Sequence, residues 1–163
     1  MKHLIFVLVL LLGAVLFSIQ VANAATLPPW PAGHCAAGSC WATNQDDTAT
    51  GTSADEGIHG LAGDDAIYGL DGNDFLTGDD GNDAVYGGAG NDVIEGNDGW
   101  DLLKGGPGMD DIRGGNGNDV LRGGGGFDSY RCGLGNDAVY ASSNEVSKGQ
   151  VDYGSCEHVS IVQ

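Results

Sequence analysis

Nine aspartates recur every nine residues: Asp65, Asp74, Asp83, Asp92, Asp101, Asp110, Asp119, Asp128 and Asp137. Carboxylates held at one phase suit a hard cation, because calcium takes about six to eight oxygen ligands in flexible geometry. A glycine stands two residues before each of them, at Gly63, Gly72, Gly81, Gly90, Gly99, Gly108, Gly117, Gly126 and Gly135. Glycine accepts backbone angles that other residues resist, so the segment can wrap tightly. Two residues after each aspartate comes a large apolar or aromatic side chain, from Ile67 to Val139. The acids thus keep one fixed phase beside the glycines, which a merely solvated acidic face does not require.

Nine nonapeptides fill Gly60–Tyr140 without an insertion, with glycine fourth, aspartate sixth and the large side chain eighth. Positions one to six are expected to turn tightly and positions seven to nine to form a very short strand. The two-residue period of a strand points position eight inward and its neighbours outward. One such strand buries little, so the copies must stack. A degenerate tenth copy, Gly51–His59, precedes them, with Glu56 in place of the aspartate and Ile58 at position eight.

The pattern resembles the RTX (repeats-in-toxin, haemolysin-type) calcium-binding family, whose consensus is GGxGxDxUx. That resemblance implies an all-β fold, a right-handed parallel β-roll with two nonapeptides per coil, so that repeat n stacks on repeat n+2. It implies calcium between stacked turns, held by the nine position-six carboxylates and by backbone carbonyls of the nine position-four glycines. One side then carries Asp65, Asp83, Asp101, Asp119 and Asp137, and the other Asp74, Asp92, Asp110 and Asp128. Adjacent pairs give four and three sites, seven in all. Glu56 stacked on Asp74 leaves an eighth open.

Charge agrees with a cation partner. The chain has 23 acids against 6 Lys and Arg, a net charge of -17. A phosphate backbone would repel it, so nucleic acid is excluded as a partner. Met1–Ala24 reads as a signal peptide, with the apolar run Leu4–Phe17 and small residues at Ala22 and Ala24. Fourteen apolar residues are short for a span of ~20, and no second such stretch follows. A secreted chain without a membrane span is expected. Export makes disulfides plausible for Cys35, Cys40, Cys132 and Cys156. Proximity favours Cys35–Cys40 and Cys132–Cys156 among the three connectivities, with zinc, aided by His34 or His158, as the competing use. The organisation expected is a signal peptide (1–24), an N-terminal segment with a small cysteine loop (25–50), the roll (51–140) and a C-terminal cap (141–163). Trp30 and Trp41 are expected to cover the first coil.

Other function classes compete less well. The sequence has no HExxH and no GxSxG, and only ~26 residues separate the signal peptide from the first repeat copy, so no catalytic activity is expected. Ice binding needs a regular threonine or asparagine array. Position three has no threonine, and the position-five asparagines Asn73, Asn82, Asn91, Asn118 and Asn136 are interrupted. An adhesin would use the sheet bearing Tyr68, Tyr86 and Tyr140 to contact an unidentified extracellular ligand or surface.

Overall fold

The computed structural model describes residues 38–152 and 155–162. The segment expected to be a signal peptide (1–24), Trp30 and Cys35 lie outside them. The elements in chain order are β1 (Ser39–Trp41), β2 (Thr48–Thr50), β3 (Gly57–His59), β4 (Ala66–Asp71), β5 (Phe75–Asp80), β6 (Ala84–Ala89) and β7 (Val93–Asp98). They continue as β8 (Leu102–Gly108), β9 (Asp111–Gly117), β10 (Val120–Gly126), β11 (Ser129–Gly135), β12 (Ala138–Ser142), α1 (Ser143–Ser147) and β13 (His158–Val162). Odd strands to β11 form one six-stranded sheet, and even strands plus β13 form a seven-stranded sheet. All pairings are parallel, and consecutive nonapeptides alternate between sheets. Ala66 pairs with Ala84 and Val93 with Asp111, a step of 18 residues. This is a parallel β-solenoid with two nonapeptides per coil.

Position eight builds the core. Ile58, Ile67, Leu76, Val85, Ile94, Leu103, Ile112, Leu121 and Val139 are fully buried, and Tyr130 is nearly so. The two sheets face each other across this double file. Strands in the middle of the roll are longer than three residues, because positions two to four of the following repeat resume the pairing. Position two takes a positive φ in every repeat, at Leu70 (85°) as at Gly88 (117°), and bends the chain towards the other sheet.

The stack extends N-terminally past Gly51. Strand β1 pairs with β3 and β2 with β4, so Ala42–Thr50 behaves as a further repeat that lacks glycine. Trp41 falls on the outer face at position nine, 62% exposed and stacked on His59, rather than over the end of the coil. The C-terminal end is closed by the expected Cys132–Cys156 bridge, with Cα atoms 5.1 Å apart. Those two sulfurs are therefore not zinc ligands. Cys40 is also disulfide-bonded, and Cys35 lies outside the described residues. Val151 adds a bridge to Tyr130, and β13 adds a strand beside β12.

The inward file makes a direct prediction. Leu103→Ala should cost about 2–5 kcal/mol in urea unfolding with calcium present. Leu102→Ala, its half-buried outward neighbour, should cost about 1 kcal/mol or less. Equal losses would contradict the inside-outside assignment.

Candidate metal centre

The position-six side chains are held by backbone geometry that repeats every coil. Each Asp accepts, through Oδ1, the backbone N–H of the position-six residue one coil earlier. Asp83 accepts from Asp65 at 2.8 Å, Asp101 from Asp83 at 2.9 Å and Asp119 from Asp101 at 2.9 Å. The second turn does the same, with Asp92 accepting from Asp74 and Asp110 from Asp92, both at 2.9 Å. The two series are the two predicted sides of the roll.

The other carboxylate oxygen is unserved. Oδ2 of all nine aspartates is buried and has no hydrogen-bond partner among the described residues. A buried carboxylate oxygen without a donor or cation is costly. From Asp65 to Asp128, each Oδ2 lies against the position-one glycine of its own repeat. A Cβ added to Gly60 would collide with Asp65 Oδ2 and with the carbonyl oxygen of Gly78, one coil on. The same convergence joins Asp74 with the Gly87 carbonyl, Asp92 with Gly105, Asp101 with Gly114, Asp110 with Gly123 and Asp119 with Cys132. Glycine at position one therefore keeps open a small oxygen-lined cradle.

No group of three or more His, Cys, Asp or Glu side chains converges among the described residues. An ion in a cradle must draw on backbone oxygen as well as carboxylate, which suits calcium and not zinc. The predicted position-four carbonyls of Gly63, Gly72, Gly81, Gly90, Gly99, Gly108 and Gly117 face the position-four glycine of the next coil. Those of Gly126 and Gly135 belong to the last coils. The position-one carbonyls, which reach the carboxylates, were missed. The near-invariance of glycine at position one is the signal that marks them.

Of the ladder ends, sequence reasoning anticipated Glu56 stacked on Asp74 and missed the other three. Asp47 donates its N–H to Asp65, and Glu56 donates to Asp74. Glu145 accepts from Asp128 and Glu157 from Asp137, both at 3.0 Å. Two glutamates of the cap thus take the place of a further aspartate rung. Glu56 differs from the aspartates, since Thr52 donates to both of its carboxylate oxygens through its N–H and its hydroxyl.

The position-five residues form a third ladder. Asn82 donates its N–H to Asp64, Asn91 to Asn73, Trp100 to Asn82 and Asn136 to Asn118. The asparagine side-chain oxygens are thereby engaged in the turns. The tyrosines are also engaged: Tyr68 stacks on Tyr86 at 5.0 Å, and Tyr140 lies under the Arg122 guanidinium.

Burial sets the protonation of the aspartates in the metal-free roll. Desolvation raises Asp101 from 3.8 to about 7, and Asp74, Asp83, Asp110 and Asp119 to about 6. The backbone N–H bonds oppose this, and neighbouring carboxylates add to it for all five. Asp65, Asp92, Asp128 and Asp137 move upward for the same first reason.

The profile of the RTX calcium-binding nonapeptide repeat, in its four-copy form, matches this chain in overlapping placements. They cover residues 41–76, 50–85, 59–94, 77–108, 95–130 and 104–139. No curated protein matches the chain.

The raised values fix the sign of a pH effect. The folded metal-free state holds protons more tightly than the unfolded chain. The contribution of these groups to its stability is fully present below about pH 4 and is lost as pH rises through about 6–7. Protein stripped of metal should therefore show more strand signal by circular dichroism at about pH 5 than at about pH 8. The reverse order would contradict the burial of these carboxylates.

Proposed function

The chain belongs to the RTX calcium-binding nonapeptide repeat family, and from that premise we propose that it is a secreted, non-catalytic β-roll that folds by binding about seven calcium ions. The single observation that carries this reading is the row of nine buried, unpartnered Oδ2 atoms beside glycine cradles. Each ion would sit between stacked turns and take the Oδ2 of one coil together with backbone oxygens of its neighbours. The proposed ligands are the nine position-six aspartates, with carbonyls from the position-four and position-one residues. Pairing within Asp65–Asp137 and within Asp74–Asp128 gives the seven. The Thr52 bonds to Glu56 set the eighth position apart.

Electrostatics favours a divalent ion over protons at neutral pH. Stacked turns lie ~4.8 Å apart. Two carboxylates at ~5 Å repel by ~0.8 kcal/mol in water and ~3 kcal/mol at an effective dielectric near 20. The repeats at 60–140 hold fifteen Asp and one Glu against four Lys and Arg, hence 4 - 16 = -12. Seven divalent ions bring about +14, so the roll becomes nearly neutral. At calcium tenfold above a dissociation constant of ~0.1 mM, each site adds ~1.4 kcal/mol, or ~10 kcal/mol for seven. That equals the net stability of a typical domain.

RTX repeat proteins are generally extracellular, and Met1–Ala24 has the pattern of an export signal. Extracellular calcium is in the millimolar range that such weak sites need. No helix among the described residues is long and apolar enough to cross a membrane.

A calcium titration of metal-stripped protein, followed by far-ultraviolet circular dichroism, tests the proposal. Strand signal should be weak in EDTA and should rise cooperatively near millimolar calcium. An unchanged signal in EDTA would defeat it. Asp101→Asn removes one oxyanion from the middle of its ladder and should move the titration midpoint to higher calcium by about threefold or more. Asp111→Asn, on the outer face, should leave the midpoint in place.

A further inference from the structure

The outer face of the seven-stranded sheet differs from the rest of the molecule. Its strands β6, β8, β10, β12 and β13 contain no Asp or Glu, although the chain has 23 acids. Two of its few cations stand there side by side, since Lys104 and Arg122 are direct partners in the β8–β10 register. On the opposite sheet, Arg113 is tied to Glu95 and Asp111, and Arg131 to Asp111. Neither Lys104 nor Arg122 makes an ion pair among the described residues. Arg122 lies over the Tyr140 ring, 4.4 Å from its centroid. Two exposed cations one strand apart repel each other, so the pair does not stabilise the roll by itself.

A groove of about 330 Å³ runs beside them. Gly106, Gly123 and Gly124 form its bare floor, and Lys104, Arg122 and Tyr140 line its side. Val162 stands at the C-terminal end. In the other direction Gly88 keeps the next position two free of a side chain, until the exposed Leu70.

We propose that this groove binds a tetrahedral oxyanion, a sulfate or phosphate ester, carried on a saccharide. Nothing in the calcium reading requires this site; the site requires only the folded roll. A planar carboxylate matches one guanidinium fork, whereas a tetrahedral group offers oxygens to the Arg122 fork and the Lys104 ammonium together. The glycine floor lets a sugar ring approach the backbone, and Tyr140 and Val162 supply apolar contact. A bilayer is a poorer occupant. Leu102 and Val120, beside the cations, are half-buried, and the exposed Trp100, Met109 and Phe127 project from the turns. The exposed Leu70 stands apart from the exposed Ile161 and Val162, on the outlying strands β4 and β13.

The test is an NMR-detected titration of the calcium-loaded protein with glucose 6-sulfate, glucose 6-phosphate and glucose, alongside vesicles containing anionic phospholipid. At least one ester should perturb the β8, β10 and β12 amides, with glucose at least about tenfold weaker. Lys104→Gln with Arg122→Gln should weaken ester binding about tenfold or more, and Arg113→Gln with Arg131→Gln should leave it unchanged. Circular dichroism of the same samples reports folding separately. Should the first pair unfold, Lys104→Gln alone and the salt dependence of wild-type binding take its place, each expected to weaken binding. The proposal is overturned by no ester binding, by equal binding of glucose, by undiminished binding in the Lys104 and Arg122 variants, or by binding to vesicles alone.

Discussion

Each coil of this protein buries carboxylates directly above carboxylates of the same sign. One oxygen of every rung is tied to the backbone N–H of the previous rung, for example Asp110 to Asp92 at 2.9 Å. The other oxygen is buried without a donor. The first bond fixes the side chain, and the second oxygen is thereby aimed at the position-one backbone. Much of the remaining structure accommodates that row. Glycine at position one makes room for it, and the thin apolar file at position eight leaves the turns close together. A core of two narrow files of side chains cannot offset buried like charges, so the fold needs a counter-ion or protons in the row.

The ends of the row are built with the same chemistry from different parts. At the N-terminal end Asp47 contributes an N–H, without any glycine pattern around it. At the C-terminal end Glu145 serves two purposes. Its Oε1 accepts from Asp128, and its carboxylate completes the capping box with Ser142 at the start of α1. Glu157 follows Cys156 directly, so the Cys132–Cys156 bridge holds the carboxylate that accepts from Asp137. The hydroxyl of Tyr130 accepts from Gly123 N–H at 2.9 Å and stands beside Asp128, beyond which no further position-one glycine follows. The cap is therefore a termination of the acid ladders as well as a cover for apolar residues.

The repeating part was legible because its constraints have a strict period. Aspartate, glycine and the inward side chain each recur at nine residues, and the coil step of 18 follows from the family resemblance. The Cys132–Cys156 bridge followed from chain proximity. Apart from Glu56, the terminal rungs were not legible. Asp47 lies 18 residues before Asp65, but Ala42 and Gln45 stand where glycines would flag a repeat. Glu145 and Glu157 reach the ladder from spacings of 17 and 20 residues, with one more methylene to absorb the difference. The role of the position-five asparagines was hidden because their bonds run to the next coil, and a linear pattern shows no such partner. Trp41 was expected to cover the first coil, whereas its register with His59 puts it on the outer face.

The most direct measurement of the central relation is calcium anomalous diffraction from crystals grown with the ion. Peaks are expected between stacked turns, within about 2.3–2.6 Å of Asp Oδ2 atoms and backbone carbonyl oxygens. They should form two lines, one along Asp65–Asp137 and one along Asp74–Asp128. An ordered roll without peaks at those oxygens, or with calcium only on the exposed acids, would contradict it.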